Sequence, residues 1–187
     1  MSQKLILASN SPRRKELLDK TGFPYKIVVS EINEKLNENF TPEENVKSLA
    51  EQKAEAVSLN YPDAVIIGAD TMVCVDNVSL GKPKNEQEAK QMLKRLSGRI
   101  HTVMTGVCIK SNDITLSFVE KTDVAFYDLT DEEINNYIST GDSFDKAGAY
   151  GIQGQGALFV KRINGDFFSV MGLPVARVYR ELKSILN

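Results

Sequence analysis

The sequence predicts an α/β fold, and three features predict it. Apolar runs of strand length, at 5–8 and 64–75, alternate with stretches that carry helix starts. Two of those starts, Thr41-Pro42-Glu43-Glu44 and Thr130-Asp131-Glu132-Glu133, set a Glu three residues after a Thr, so that side chain and backbone can cap each other. Alternating segments at 101–109 and 115–126, around Ser111-Asn112-Asp113, add an antiparallel pair. With 187 residues the chain suffices for one compact domain, or for one domain with two lobes around a cleft.

The first stretch is strand, turn and helix start. Leu5-Ile6-Leu7-Ala8 reads as a buried strand and stops at Ser9-Asn10-Ser11. Ser11 can cap a helix, Pro12 suits its first turn, and Leu17-Leu18 give it an apolar face. This geometry presents backbone N–H groups to an anion. Arg14 holds the position where a capping box would put Glu, with Arg13 beside it. Two cations at the positive end of a helix dipole each cost about 0.3–1 kcal/mol, a cost that a bound polyanion reverses. A pair of solvated surface arginines is the plainer reading, but the Ser9-Asn10-Ser11 turn before it favours a phosphate site.

After Gly22-Phe23-Pro24 a second strand is expected over 25–29, then a polar, irregular segment containing Glu31, Glu34 and Glu38. The helix opened by Thr41 should run to about Leu59, with Val46, Leu49, Ala50, Ala54 and Val57 as its apolar stripe. Lys53 falls in the middle of that stripe. It either snorkels to water or reaches toward a negative group. The run at 64–75 is the most hydrophobic in the chain and reads as a central strand interrupted by Gly68-Ala69-Asp70-Thr71. A carboxylate there is expensive unless paired or metal-bound, which favours a functional Asp70 over a solvated turn residue.

Asp76-Asn77 is a hairpin turn, and Gly81-Lys82-Pro83 displays Lys82 from a constrained loop. Asn85 caps a helix that ends near Ser97-Gly98. His101, the only histidine, has no metal-ligand spacing around it and reads as structural or exposed. The glycine-rich stretch from Asp145 to Gly156 is not G-x-G-x-x-G, and its Tyr, Ile and Gln suggest an ordered loop. Residues 157–163 and 166–170 should pair across Asn164-Gly165. Gly172-Leu173-Pro174 opens a last helix with Val175, Val178, Leu182 and Leu186 on one face.

Composition narrows the function classes. A net charge of −2 gives no electrostatic footprint for a nucleic acid polymer. Cys74 and Cys108 lie in apolar runs, as reduced buried thiols do. No apolar stretch reaches membrane-spanning length and the first apolar run is too short for a signal peptide, so the cytoplasm is the default. The distinctive groups are then Arg13, Arg14, Lys53, Lys82, Asp70 and Glu34. Cations with one or two carboxylates suit a metal–polyphosphate complex and permit phosphoanhydride hydrolysis.

Ser9-Asn10-Ser11-Pro12-Arg13-Arg14, Gly68-Ala69-Asp70-Thr71, Gly81-Lys82-Pro83, Leu96-Ser97-Gly98-Arg99, the run from Asp145 to Gly154, and Gly172-Leu173-Pro174 closely resemble, in order, motifs of the Maf family of nucleoside triphosphate pyrophosphatases. That family takes its name from an association with cell filamentation and septum formation. The resemblance implies a Maf/inosine-triphosphatase-like α/β fold, a central mixed sheet flanked by helices with two lobes about a cleft, as one domain over residues 1–187. It implies hydrolysis of a nucleoside triphosphate to monophosphate and pyrophosphate with a divalent metal, Mg²⁺ or Mn²⁺. Asp70 matches the proton acceptor. Ser9, Arg13, Arg14, Lys53 and Lys82 match substrate- and phosphate-binding positions, and Glu34, with Asp70, the metal side. The family often has Asp-Glu where this chain has Asn33-Glu34, a departure that bears on the carboxylate count at the metal.

Arg13, Thr71 and Gln153 match the specificity positions of the subgroup acting on dTTP and UTP. A Gln amide offers a donor and an acceptor together, matching N3–H and the C4 carbonyl of thymine or uracil. The resemblance also suggests a homodimer, for which no sequence pattern stands by itself. Two rival readings stand beside this one. A nucleotide-binding regulator linked to cell division would bind with little turnover. A phosphatase removing the terminal phosphate would release diphosphate and orthophosphate.

Overall fold

The structure, a computed structural model, describes residues 4–186. Among them, seven strands form one mixed sheet. They are β1 (Lys4–Leu7), β2 (Tyr25–Ile27), β3 (Ala64–Val75), β4 (Val78–Leu80), β5 (Ile100–Lys110), β6 (Thr115–Phe126) and β7 (Val160–Asn164). Their order is β2-β1-β3-β5-β6-β7, with β4 paired to β3. The α-helices are α1 (Pro12–Asp19), α2 (Pro42–Ser58), α3 (Glu86–Leu96), α4 (Asp131–Ser139), α5 (Phe167–Met171) and α6 (Val175–Leu186). No helix among the described residues is long and apolar enough to cross a membrane. The chain packs as two compact units. One comprises the chain up to Asp70, Thr105–Glu120, and the chain from Gly172 onward; the other comprises Thr71–Met104 and Lys121–Met171.

In the first unit β1 pairs in parallel with both β2 and β3. Ile6, Ala8, Ile66 and Cys108 meet Ala50, Ala54 and Val57 of α2 in a continuous core. The helix stripe is buried as its spacing predicts. Two glycines set the approach of α2. A Cβ at Gly68 would collide with the Ala50 carbonyl, and one at Gly106 with the Val46 backbone. Both caps are formed: Ser11 accepts from the Arg14 amide, and Thr41 and Glu44 cap each other.

In the second unit Val73, Val75, Val103 and Val124 pack with Leu93 and Leu96 of α3 and Ile134 and Ile138 of α4. Phe126, Tyr137, Tyr150 and Phe159 join that core edge to face. His101 is buried, so its structural reading holds and its exposed one does not: its ring meets Phe126 at 4.8 Å, and Nε2 hydrogen-bonds the Tyr150 hydroxyl at 2.8 Å. Asp76 and Asn77 take φ of 53° and 58°, closing the two-residue turn that pairs Val75 with Val78. Cys74 and Cys108 are buried free thiols.

Three expectations are corrected. The run at 64–75 is one unbroken strand, because Gly68 serves close packing against α2 rather than a turn. Residues 166–170 do not form a strand. The Asp166 carboxylate accepts the amides of Phe168 (3.2 Å) and Ser169 (3.0 Å) and starts α5, while β7 pairs with β6 and residues 157–159 lie in a 3-10 helix, Gln155–Phe159. The second strand stops at Ile27, which is opposite Leu7, the last residue of β1.

Candidate active site

The turn after β1 builds the cationic part of the site. Ser9 is buried, and its Oγ accepts the Ser11 amide at 3.2 Å and Arg14 Nη1 at 3.3 Å. Arg14 Nε donates to the carbonyl of Gly172, at 2.8 Å and 158 residues away in the chain. The guanidinium is thus held in one plane by partners on two sides. The first turn of α1 has no acidic residue. Burial pulls the Arg14 pKa down. Asp70 and Glu34 push it back up, and Arg13 adds to the lowering. Arg13, Arg14, Asp70 and Glu34 therefore share one electrostatic neighbourhood.

The acidic part lies on α2, β3 and the segment before α2. Lys53 takes the second of its two readings. Its Nζ lies 2.5 Å from Asp70 Oδ1 and 3.0 Å from Glu34 Oε1. The Lys53 and Asp70 side chains are 12% and 15% exposed, whereas Glu34 is 49% exposed. The inner pair is thus largely withdrawn from water, where a lone charge would be costly and a paired one is tolerated. Packing of Ala50 and Ala54 against Gly68 brings this turn of α2 alongside β3.

Ser9, Arg14, Glu34, Lys53 and Asp70 are therefore brought together within the first unit, with Arg13 half-buried on α1. Thr71, Lys82 and Gln153 belong to the second unit. Thr71 follows Asp70 on β3 and is half-buried, Lys82 is exposed between β4 and α3, and Gln153 is exposed in the glycine-rich loop. Sequence reasoning missed the Gly172 carbonyl as the anchor of Arg14, although the Gly172-Leu173-Pro174 motif marked the place. It also gave no role to Lys146, which ion-pairs with Asp142 and Asp145.

Among the described residues no group of three or more His, Cys, Asp or Glu could hold a metal by itself. Two carboxylates do converge on the one Lys53 ammonium. That donor set fits Mg²⁺ or a similar hard cation, which takes one or two carboxylates and completes its shell with phosphate oxygens and water.

Such a fold and site define an α/β protein whose cations and carboxylates suit a phosphorylated ligand. A family model described as Maf-like protein matches residues 4–185, and the chain belongs to that family. It is 58% identical to a dTTP/UTP pyrophosphatase of Bacillus velezensis over 98% of this chain and 97% of that one. It is 55% identical to a dTTP/UTP pyrophosphatase of Bacillus pumilus over 96% and 95%. Among solved structures it is similar to protein VC0702 from Vibrio cholerae, with a TM-score of 0.36 and 11% identity over 74% of this chain and 71% of that chain.

Proposed function

We propose that this chain is a nucleoside triphosphate pyrophosphatase that hydrolyses dTTP and UTP to the monophosphate and pyrophosphate. The reading is carried by the Lys53 ammonium shared between Asp70 and Glu34, in the same electrostatic neighbourhood as Arg14. It is supported by near full-length similarity to relatives named dTTP/UTP pyrophosphatase.

Asp70 accepts the proton of the water that attacks the α-phosphorus, and Lys53 holds its carboxylate in direction. Arg13 and Arg14, with Ser9 fixing Arg14, stabilise charge on the phosphate oxygens. Lys82 shares that role, and Arg13, Thr71 and Gln153 select the base. A divalent metal, Mg²⁺ or Mn²⁺, would be held by Asp70 and Glu34 and supplies charge neutralisation to the polyphosphate. We take residues 1–187 as a single domain acting in the cytoplasm as a homodimer; residues 1–3 and 187 lie outside the described ones.

The test is product analysis with a nucleotide panel. UTP and dTTP should yield pyrophosphate, and Asp70→Asn should lower kcat by about 10²–10⁴-fold while nucleotide binding persists. Orthophosphate plus diphosphate as products, preference for purine triphosphates, or full activity in Asp70→Asn would overturn the reading. Tight binding without turnover would favour a regulator.

A further inference from the structure

The loop that carries Gln153 is gripped by residues to which the catalytic reading gives no role. Lys146 Nζ donates to the Asp142 carbonyl (2.7 Å), Asp142 Oδ1 (2.7 Å) and Asp145 Oδ1 (2.6 Å). An ammonium has three donors, and all three are used. Its side chain is only 11% exposed, so it is not displayed to a phosphate as Lys82 is. Its stem runs against the loop, because a Cβ on Gly151 would collide with Lys146 Cδ and Cε.

The same carboxylate is held from its other side. The Tyr137 hydroxyl donates to Asp142 Oδ2 at 3.0 Å and accepts the Gly151 amide at 3.0 Å. Burial pushes the Tyr137 phenol up, which keeps that hydroxyl a donor. A Cβ on Gly154 would lie 2.8 Å from Asp142 Oδ2, and one on Gly156 would meet the Gly151 backbone and Tyr137 Oη. The chain Lys146–Asp142–Tyr137 thus ends on the Gly151 amide, and the Asp142 carboxylate lies close against Gly154, the two glycines flanking Gln153.

A reason for such a grip lies in the chemistry of the amide. Turned over, a Gln amide offers acceptor and donor in the opposite sense, so a free one pairs with cytosine as well as with uracil. Discrimination requires that its approach be fixed. We propose that Lys146 is a positioning residue for base selection, holding the loop backbone beside Gln153 so that its amide approaches the base from one position, matched to uracil. This rests on the reading that Gln153 contacts the base.

The experiment measures kcat/KM for UTP and for CTP in the purified full chain, with thermal melting as a folding control. Wild type should prefer UTP, and Gln153→Ala should abolish the preference. Lys146→Met keeps the stem and removes the ammonium. It should cut the UTP/CTP ratio by about tenfold, chiefly through KM for UTP. A merely structural lysine would lower both values together and leave the ratio unchanged. Should Lys146→Met fail to fold, Asp142→Asn reads the same ratio with Tyr137 still able to donate. If Gln153→Ala abolishes the preference and the Lys146→Met or Asp142→Asn ratio stays at wild type, the proposal is overturned. If Gln153→Ala itself leaves the preference intact, the reading beneath it fails and the proposal with it.

Discussion

Arg14 does two things that a lysine in its place could not do together. Its Nε reaches the Gly172 carbonyl while Nη1 reaches Ser9, and only a planar fork spans both directions. Arg14→Lys should therefore lower kcat/KM for UTP by about 10–100-fold, the value of one or two hydrogen bonds made by a charged group. Steady-state kinetics checks this, and an unchanged kcat/KM would remove the fork from the argument. Half of the arrangement was legible in the sequence. Ser11 caps the Arg14 amide three residues on, where capping rules apply directly. The partner at Gly172 was not legible, because no local rule links residues so distant. Lys53 shows the same limit. Its spacing left it either snorkelling or reaching for a carboxylate, and only the position of β3 beside α2 selected the second.

At the scale of elements, α2 is the part on which the site depends, since it presents Lys53 to Asp70. Its approach to the sheet is set by what Gly68 lacks. Gly68→Ala should cost roughly 1–3 kcal/mol by overpacking, seen as a lower urea midpoint. It should also reduce pyrophosphate release, since α2 can yield only by carrying Lys53 with it. Loss of stability with full activity would show that the helix spacing matters to packing alone. Gly68 was seen in the sequence but read as an interruption, because a glycine in a strand signals a break and a close approach equally. Asp166 misled in the other direction. Asn164-Gly165 reads as a hairpin turn, yet the Asp166 carboxylate captures two amides and turns the following residues into a helix.

For the molecule as a whole, His101 couples folding to pH. Burial lowers its pKa to about 4, with Asp123 opposing, against 6.5 for an unperturbed histidine. The site has a ring contact to Phe126 and a hydrogen bond to Tyr150, and among the described residues Nδ1 has no hydrogen-bond partner to support a charge. Between these two pKa values the unfolded chain binds more protons than the folded one. Stability from this residue is therefore full above about pH 6.5 and declines as the pH falls toward 4, by up to roughly 3 kcal/mol. Urea midpoints across that range should show the decline in wild type. The share due to His101 should vanish in His101→Asn, and identical pH profiles would contradict the assignment.

What the sequence determined by itself were the elements closed by neighbouring residues: the capped starts of α1, α2, α3 and α4, the turn at Asp76-Asn77, and the buried faces of α2 and α6. It also carried the motifs of the Maf-like family. Tertiary structure alone decided that Glu34 and Asp70 share one lysine and that Gly172 anchors Arg14. The physical reason is range. A cap or turn satisfies its hydrogen bonds within a few residues, so its pattern is written locally. A charge withdrawn from water takes whichever partner the packing of strands and helices brings within about 3 Å, and that partner is nowhere marked in the chain around it.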